Sequence, residues 1–302
     1  MSAIAVGVVG IGAMGMGIAR NLLDRGYAVH VRDIRVEAED EARSAGATVH
    51  DSPASLASVS DVVFTVVVDD GQTEDVVFGA DGVAAGLAPG AVAVLSSTLS
   101  PAFVASAAER LASRGFAMVD APISGGPAKA RNGAMSMMIA GPAEAQARAA
   151  QVLADAAAKR FVVSERAGDG ARMKLVNNVL AGVNLAAAAE SFALALKLGL
   201  DPRVAHDVIC ASSGGSWMFA DRMPRVLTGD YSTKAAARIL AKDMRLFLDA
   251  AAEAAYAAPI ATAGRAAFLA AMEAGFAEED DAAVIKPYAA AAGVKLPGQG
   301  AP

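Results

Sequence analysis

Residues 4–15 read IAVGVVGIGAMG, and this stretch decides the fold. Its first part, residues 4–9, is an apolar run with the composition of a buried strand. Gly10, Gly12 and Gly15 follow at the spacing GxGxxG, and a helical pattern continues from Met16. A strand, a glycine-rich turn and a helix in this order predict the start of a βαβ unit.

The turn Gly10-Ile11-Gly12-Ala13-Met14-Gly15 predicts a dinucleotide site. Gly10 permits the tight turn, Gly12 lets the backbone approach a pyrophosphate, and Gly15 lets the helix pack on the strand. Asp33 follows the second predicted strand, where a carboxylate accepts hydrogen bonds from a ribose diol. This favours NAD over NADP, although Arg32 and Arg35 beside it are of the type that receives a 2′-phosphate. A plain turn and an ordinary surface carboxylate are the alternatives.

The alternation of strands and helices continues beyond this turn, as in a parallel sheet covered by helices. Further strands are predicted near residues 28–32, 61–67, 91–95, 116–119, 134–140 and 160–163, with helices near 16–25, 101–113 and 143–157. The run Val62 to Val68 is apolar almost throughout, which predicts a central strand buried on both faces.

The pattern changes near residue 165, after which the chain is rich in alanine. A long helix is predicted over residues 171–199, and Gly199 is placed to end it. Asp201-Pro202 supplies an N-cap and a proline at the first position of the next helix. Further helices are predicted from Ser216, from about Lys234 and from Pro259. We therefore expect an α/β Rossmann domain over residues 1–165 and an all-α domain over residues 166–302.

The composition excludes several classes of protein. Of the 302 residues, 55% are hydrophobic and 19% charged, which is too apolar for disorder, and no unbroken apolar run approaches the length of a membrane span. The net charge of −6 argues against a nucleic-acid partner. Cys210 is the single cysteine, and neither HExxH nor another metal-ligand spacing occurs, so no metal is expected. No signal peptide precedes the first strand, which predicts a cytoplasmic protein.

Lys174 is the candidate proton donor and acceptor. It lies near the start of the long predicted helix, and Asn178 at i+4 shares its face, so both could reach one point in a cleft between the domains. The histidines are expected to be structural: His30 and His50 on or beside edge strands, and His206 exposed among polar residues of a helix. A solvated lysine is the alternative for Lys174.

The second polar concentration is Asp120-Ala121-Pro122-Ile123-Ser124-Gly125-Gly126, a turn after a predicted strand. Its glycines can expose backbone N–H groups beside the Ser124 hydroxyl, as in an anion-binding nest for a substrate carboxylate. A plain loop explains the same residues.

Five separated motifs together resemble the β-hydroxyacid dehydrogenases, a family that includes 3-hydroxyisobutyrate dehydrogenase, tartronate semialdehyde reductase and, more distantly, 6-phosphogluconate dehydrogenase. The resemblance runs from residue 4 to about residue 290. It rests on residues 10–15 with 21–22, 96–101, 120–126, 170–174 with Asn178, and Lys242-Asp243.

This resemblance implies hydride transfer between NAD and a small hydroxy acid, with Lys174 as the general acid/base. It implies that Ser124, Gly125 and Gly126 hold the substrate carboxylate and that Asn178 fixes the substrate. It places four further residues along the cofactor: Val66, Val67, Thr98 and Lys242.

Within the family, several segments resemble the L-threonate dehydrogenase branch, which acts on four-carbon sugar acids. They include residues 14–17, 180–190, 216–223 and 279–286. Residues 212–217 could form a polar rim over the substrate, whereas Trp217 and Met218 could equally be packing residues. The 3-hydroxyisobutyrate and tartronate semialdehyde activities stay open as alternatives.

Two other interpretations differ in class. Imine reductases share the scaffold but typically replace the lysine, and an NAD-sensing binding protein would not need it; Lys174 argues against both. The long apolar helix on a small domain predicts a homodimer or homotetramer.

Overall fold

The computed structural model describes residues 4–298. Contacts divide the chain into two compact units, Met1–Lys174 and Leu175–Pro302. The division falls inside the helix Asp169–Lys197 and not at residue 165, where the sequence pattern changes. The first turn of this helix is hydrogen-bonded to Asp120 of the sheet, and these bonds join it to the first unit.

The first unit is built on a nine-stranded sheet. Its strands are β1 (Ala5–Val9), β2 (Ala28–Arg32), β3 (Thr48–Val49), β4 (Val62–Thr65), β5 (Val92–Leu95), β6 (Ala117–Asp120), β7 (Ile123–Ser124), β8 (Ser136–Ala140) and β9 (Lys159–Ser164). Strands β3-β2-β1-β4-β5-β6 are parallel in that order, which is the strand order of a dinucleotide-binding fold. Strand β8 is antiparallel to β6 and β7 and parallel to β9.

Helices cover this sheet between the strands. They are α1 (Ala13–Asp24), α2 (Val36–Ser44), α3 (Pro53–Ala57), α4 (Asp70–Phe78), α5 (Val83–Gly86), α6 (Pro101–Ala112), α7 (Gly126–Arg131), α8 (Ala143–Ala156) and the first turn of α9 (Asp169–Lys197). Val62 and Phe64 pack into one apolar cluster and Val63 into a second. Strand β4 is therefore buried on both faces between β1 and β5, which confirms the predicted central strand.

Two predicted boundaries differ for local reasons. The strand predicted over residues 61–67 ends at Thr65, because the Val67 amide donates to the Ser97 hydroxyl instead of to a neighbouring strand. Helix α1 begins at Ala13 and not at Met16, because Gly12 is its N-cap residue and the glycine-rich turn runs directly into the first helical turn.

The second unit is helical. After α9 it contains α10 (Pro202–Cys210), α11 (Trp217–Thr228), α12 (Ala237–Glu253), α13 (Pro259–Ala271) and α14 (Ile285–Ala292), with a π-helical turn Met272–Phe276 and a 3-10 turn Asp281–Val284. The predicted caps are confirmed: Asp201 accepts from the amides of Arg203 and Val204, and Gly199 ends α9 at φ +75°. Phe192, Met244 and Phe268 lie in the hydrophobic core of the second unit.

Helix α9 is, among the described residues, the one helix long and apolar enough to cross a membrane by length and composition. Half of its most apolar window is buried within the protein, and the core helix of a soluble protein passes the same test.

Candidate functional site

The glycine-rich turn connects β1 to α1 with no spare room at two of its glycines. Gly10 has φ +87°, and a Cβ there would lie 2.5 Å from the Val66 carbonyl oxygen. A Cβ on Gly15 would lie 2.0 Å from the Gly10 carbonyl oxygen. Both positions therefore require glycine for the turn to close on the sheet.

Gly12 differs from these two glycines, because the space beside it is open. A Cβ there would meet only the Arg35 Nη2 atom, at 3.9 Å. Gly12 is the N-cap residue of α1 and provides no side-chain cap, so the first amides of the helix face an accessible position. An uncapped helix N-terminus beside bare backbone fits a pyrophosphate.

Asp33 lies just after β2 and is 8% exposed. Its Oδ2 accepts from the Ile11 amide at 2.8 Å, so the carboxylate is tied to the glycine-rich turn. Its Oδ1 accepts from the Arg35 amide and from Arg35 Nε, both at 3.0 Å. Burial opposes ionisation of Asp33, but the hydrogen bonds from Arg35 and from the Ile11 amide outweigh it and lower the pKa.

The residues predicted along the cofactor lie at the carboxyl ends of β4 and β5. Val66 and Val67 directly follow β4, and the Val66 amide donates to the Val9 carbonyl at 2.8 Å. Thr98 is half-buried in the connection from β5 to α6. Ser97 lies in the motif 96–101 but was not predicted to be a site residue; its hydroxyl accepts from the Val67 amide at 2.9 Å and links the ends of β4 and β5. Carboxyl ends of parallel strands are where such folds bind ligands.

The turn at Ser124 is shaped by two successive glycines. Gly125 has φ +136° and Gly126 has φ +79°, and a Cβ on Gly126 would meet nothing within 4 Å. Helix α7, which follows this turn, packs closely on α1 at Gly17. A Cβ on Gly17 would lie 2.8 Å from Ala130 Cβ. Ser124 is half-buried and directly precedes Gly125 and Gly126.

Asp120 has a role that the sequence did not indicate. It ends β6, is 1% exposed, and its Oδ2 accepts from the amides of Gly168 at 2.9 Å and Ala171 at 3.0 Å. The carboxylate therefore anchors the first turn of α9. Burial raises the pKa of Asp120 to about 6, and the amide hydrogen bonds oppose that rise. Gly170 is required here, since a Cβ would lie 2.8 Å from the Met138 carbonyl oxygen and 3.0 Å from the Asp120 carboxyl carbon.

Lys174 lies one turn beyond these anchored amides and is 6% exposed. Its burial distinguishes it from an ordinary surface lysine, because lysine is almost never fully buried without a partner or a function. In the second unit, Asn178 Nδ2 donates to Asp243 Oδ2 at 2.6 Å, and Lys242 Nζ lies 3.0 Å from Asp243 Oδ1. Asp243 is 3% exposed and accepts the hydrogen bond that orients the Asn178 amide.

Residues 216–225 and 279–286 contain a buried charge cluster. Arg222 Nε donates to Asp281 Oδ1 at 2.5 Å, and Arg225 Nε lies 3.3 Å from Asp280 Oδ1. Burial raises the pKa of Asp281 to about 6, and Arg222 opposes that rise. Met218 is a core residue, as the packing interpretation expects, whereas Trp217 is 51% exposed and is not a core residue.

The three histidines are not among the residues of the glycine-rich turn, the Ser124 turn or the Lys174 and Asn178 helix described above. His30 Nδ1 and His50 Nε2 are 2.9 Å apart at the β2–β3 edge, and burial lowers the pKa of both. The expectation that His206 is exposed was wrong: its side chain is 18% exposed and stacks on Phe219 at 5.8 Å, because α10 packs on α11. Within residues 4–298, no group of three or more histidine, cysteine or carboxylate side chains is arranged to hold a metal ion.

Comparison with known proteins gives matches along almost the whole chain. Residues 5–164 match the family described as the NAD binding domain of 6-phosphogluconate dehydrogenase, and residues 168–288 match the family described as NAD-binding of NADP-dependent 3-hydroxyisobutyrate dehydrogenase.

Two relatives and one solved structure illustrate the similarity. The chain is 45% identical to an L-threonate dehydrogenase of Cupriavidus necator, over 97% of this chain and 98% of the relative. It is 39% identical to an L-threonate dehydrogenase of Escherichia coli K12, over 97% and 96%. A crystal structure of 3-hydroxyisobutyrate dehydrogenase from Salmonella typhimurium is 38% identical, with a TM-score of 0.89 over 94% of this chain and 99% of that chain.

Proposed function

This chain belongs to the β-hydroxyacid dehydrogenase family and is an NAD-dependent oxidoreductase of small hydroxy acids, and we propose that its substrate is a four-carbon sugar acid such as L-threonate. One observation carries the choice of substrate. Relatives named L-threonate dehydrogenase are 45% and 39% identical over 97% of the chain.

Lys174 acts as the general acid/base in this proposal. Bound NAD supplies the hydride acceptor for the carbinol carbon. The neutral amine of Lys174 takes the proton of the substrate hydroxyl during oxidation and returns it during reduction. Two observations support this role: the Lys174 residue is only 6% exposed, and it lies one turn beyond the amides that Asp120 anchors.

The substrate carboxylate binds at Ser124, Gly125 and Gly126. Gly126 leaves backbone open on one side, and the Ser124 hydroxyl adds a donor. Asn178 provides an amide to the substrate, with its orientation held by Asp243. Fixing the carboxylate sets the distance and angle of the reacting carbon.

NAD binds through the turn Gly10, Ile11, Gly12, Ala13, Met14 and Gly15, with Asp33 at the ribose. The open backbone at Gly12 and the uncapped start of α1 support the pyrophosphate position. The residues Val66, Val67, Thr98 and Lys242 contact the cofactor along its length, by the family resemblance.

We also propose that the protein is cytoplasmic and that residues 166–302 form the substrate and subunit-association domain of a homodimer or homotetramer. Helix α9 and the segment after it carry a series of exposed apolar side chains that a second subunit would cover: Met173, Val176, Leu180, Leu194, Leu198 and Leu200.

The second candidate is a 3-hydroxyisobutyrate dehydrogenase, favoured by the name of the Salmonella structure. A kinetic panel separates the two. L-threonate, D-glycerate, 3-hydroxyisobutyrate and 4-hydroxybutyrate are each mixed with the enzyme and NAD or NADP, and NADH or NADPH formation is followed by absorbance.

We expect kcat/KM to be greatest for L-threonate, by about 100-fold over 4-hydroxybutyrate, because a site built to bind hydroxyls rejects an analogue that lacks them. A preference for 3-hydroxyisobutyrate would favour the second candidate. No response to any of the four acids would contradict both.

A further inference from the structure

Strand β9 is the long free edge of the sheet. It has six residues and pairs with β8, and within residues 4–298 no strand pairs with its other side. The strand at the opposite edge, β3, has only two residues. A long exposed edge is a template for another strand, and proteins usually shorten, cover or charge such an edge.

The edge is apolar as well as long. Phe161, Val162 and Val163 are 56%, 67% and 38% exposed, so three consecutive large apolar side chains are left open by the rest of the chain. Single exposed apolar residues are ordinary, but an unbroken run on an edge strand indicates a contact surface. A bulge at Val163 adds local twist and leaves residues 159–162 regular.

The backbone of β9 directs hydrogen-bonding groups to this edge at alternate residues. The Lys159 amide donates to the Met135 carbonyl, next to β8, at 3.3 Å. Successive residues of a strand direct their N–H and C=O groups to opposite sides, so those of Arg160 and Val162 are directed to the free edge. Val162 therefore presents an exposed apolar side chain together with a backbone donor and acceptor.

The two ends of the edge carry opposite charges. Lys159 begins β9 and Glu165 directly follows it; both are exposed, and neither forms an ion pair within the described part of the chain. The neighbouring cations are occupied, because Arg160 donates to carbonyls at the end of α8 and Arg166 Nη2 lies 3.1 Å from Asp169 Oδ1. An antiparallel copy of the same strand would bring each of the two free charges beside its opposite.

We propose that β9 is a contact between two copies of this chain, which pair antiparallel about a two-fold axis at Val162. The two Val162 residues then exchange N–H···O=C hydrogen bonds. Phe161 of each copy lies beside Val163 of the other, and Lys159 of each copy lies beside Glu165 of the other. Because the contact is isologous, the apolar pair and the charged pair each form twice.

This contact extends the subunit association proposed above and is separate from the apolar side chains of α9. One strand of six residues buries too little surface for a strong interface, so we expect it to form at micromolar protein and to join dimers made through another face. Two isologous contacts on one chain give a homotetramer. The inference does not depend on the hydroxy acid, so a wrong substrate leaves its outcome untouched.

Sedimentation velocity of the full chain at about 1–50 µM measures the association. Val162→Lys places two like charges opposite each other at the axis and should weaken the contact by about 100-fold, which halves the mass of the oligomer. Val59→Lys, the same change at another exposed valine of the first unit, is the matched control and should keep the parent mass. Both variants should bind NAD⁺ as the parent does, which shows that they are folded.

A charge exchange tests the register of the two strands. Lys159→Glu and Glu165→Lys should each weaken the contact by about 10-fold, and the double variant should restore it, because the ion pair forms again with its signs reversed. Lys295→Glu, at an exposed lysine of the second unit, should have no effect.

Cross-linking localises the axis, since only a residue at a two-fold axis meets itself. In a Cys210→Ser background, a short bis-maleimide should link two chains through Val162→Cys but not through Val59→Cys. A parent that stays monomeric up to about 50 µM, an unchanged mass for Val162→Lys, or a double charge variant that associates no better than the single variants would overturn the proposal.

Discussion

The turns of the first unit and the helices α9 and α12 present different kinds of groups. Turns 10–15 and 124–126 leave backbone open at Gly12 and Gly126, and the positive φ angles at Gly10, Gly125 and Gly126 require glycine. In a helix the backbone amides are used internally, so α9 and α12 can present only side chains such as Lys174, Asn178 and Lys242. Replacing a glycine of the turns by a residue with a side chain should therefore impair anion binding. Replacing a polar side chain of the helices should instead impair the chemical step.

The largest expected effect is on NAD⁺ binding, and it should differ between two glycines of the same turn. Gly15→Ala places a Cβ 2.0 Å from the Gly10 carbonyl, so the turn must shift; we expect a loss of about 1–3 kcal/mol in the free energy of unfolding and loss of NAD⁺ binding. Gly12→Ala has room for its Cβ and should unfold like the parent while binding NAD⁺ about 10-fold more weakly. Thermal unfolding and calorimetry measure both, and identical behaviour of the two variants would contradict the distinction.

The next largest effect is expected on kcat/KM, from a change of the Asn178 side chain on α9. Asn178→Asp places a second carboxylate at the position that now donates to Asp243 at 2.6 Å. Repulsion between this new carboxylate and the carboxylate of Asp243 should lower kcat/KM by about 10- to 100-fold. Asn184→Asp, an exposed residue of the same helix, is the matched control and should leave kcat/KM near the parent value. Equal kinetics for the two variants would remove Asn178 from the site.

Asp120 anchors the first turn of α9, and the effect of replacing it depends on pH. Because its pKa is raised to about 6 in the folded protein, its contribution to stability is greatest below its unfolded value of 3.8 and is lost as the pH rises through 6. Asp120→Asn lacks this titration. Its free energy of unfolding relative to the parent should therefore rise by about 2 kcal/mol between pH 4 and pH 7.5.

Urea unfolding at the two pH values measures this change. Asp169→Asn, whose carboxylate lies close by but has a lowered pKa because of Arg166 and Ser164, serves as the control and should show no such rise. A constant difference between Asp120→Asn and the parent at both pH values would show that Asp120 is not a buried acid of this kind.

Much of the sheet was predictable because its strands are apolar runs between turn residues. Strand β2 matches its predicted bounds, and β4 is central as its continuous run of valines indicated. The two-residue strands β3 and β7 and the short helix α7 were missed, since segments of two to six residues carry no measurable periodicity.

The candidate residues were predictable one by one, but most of their partners were not. Residues at i and i+4 of a helix can be read from spacing, as for Lys174 and Asn178. Asp120 and Gly168 are 48 positions apart, and Asn178 and Asp243 are 65 apart, so only the folded chain brings them together. The Asp33–Arg35 pair is local, yet its place against the glycine-rich turn depends on the β1–β2 pairing.

Replacing the amine of Lys174 tests the central claim most directly. Lys174→Met keeps the length and apolar stem of the side chain and removes the proton acceptor. We predict that its kcat for hydroxy-acid oxidation falls by about 10²- to 10⁴-fold while its Kd for NAD⁺ stays within about threefold, whereas Lys197→Met on the same helix behaves like the parent. A Lys174→Met enzyme with kcat near that of the parent would contradict the assignment.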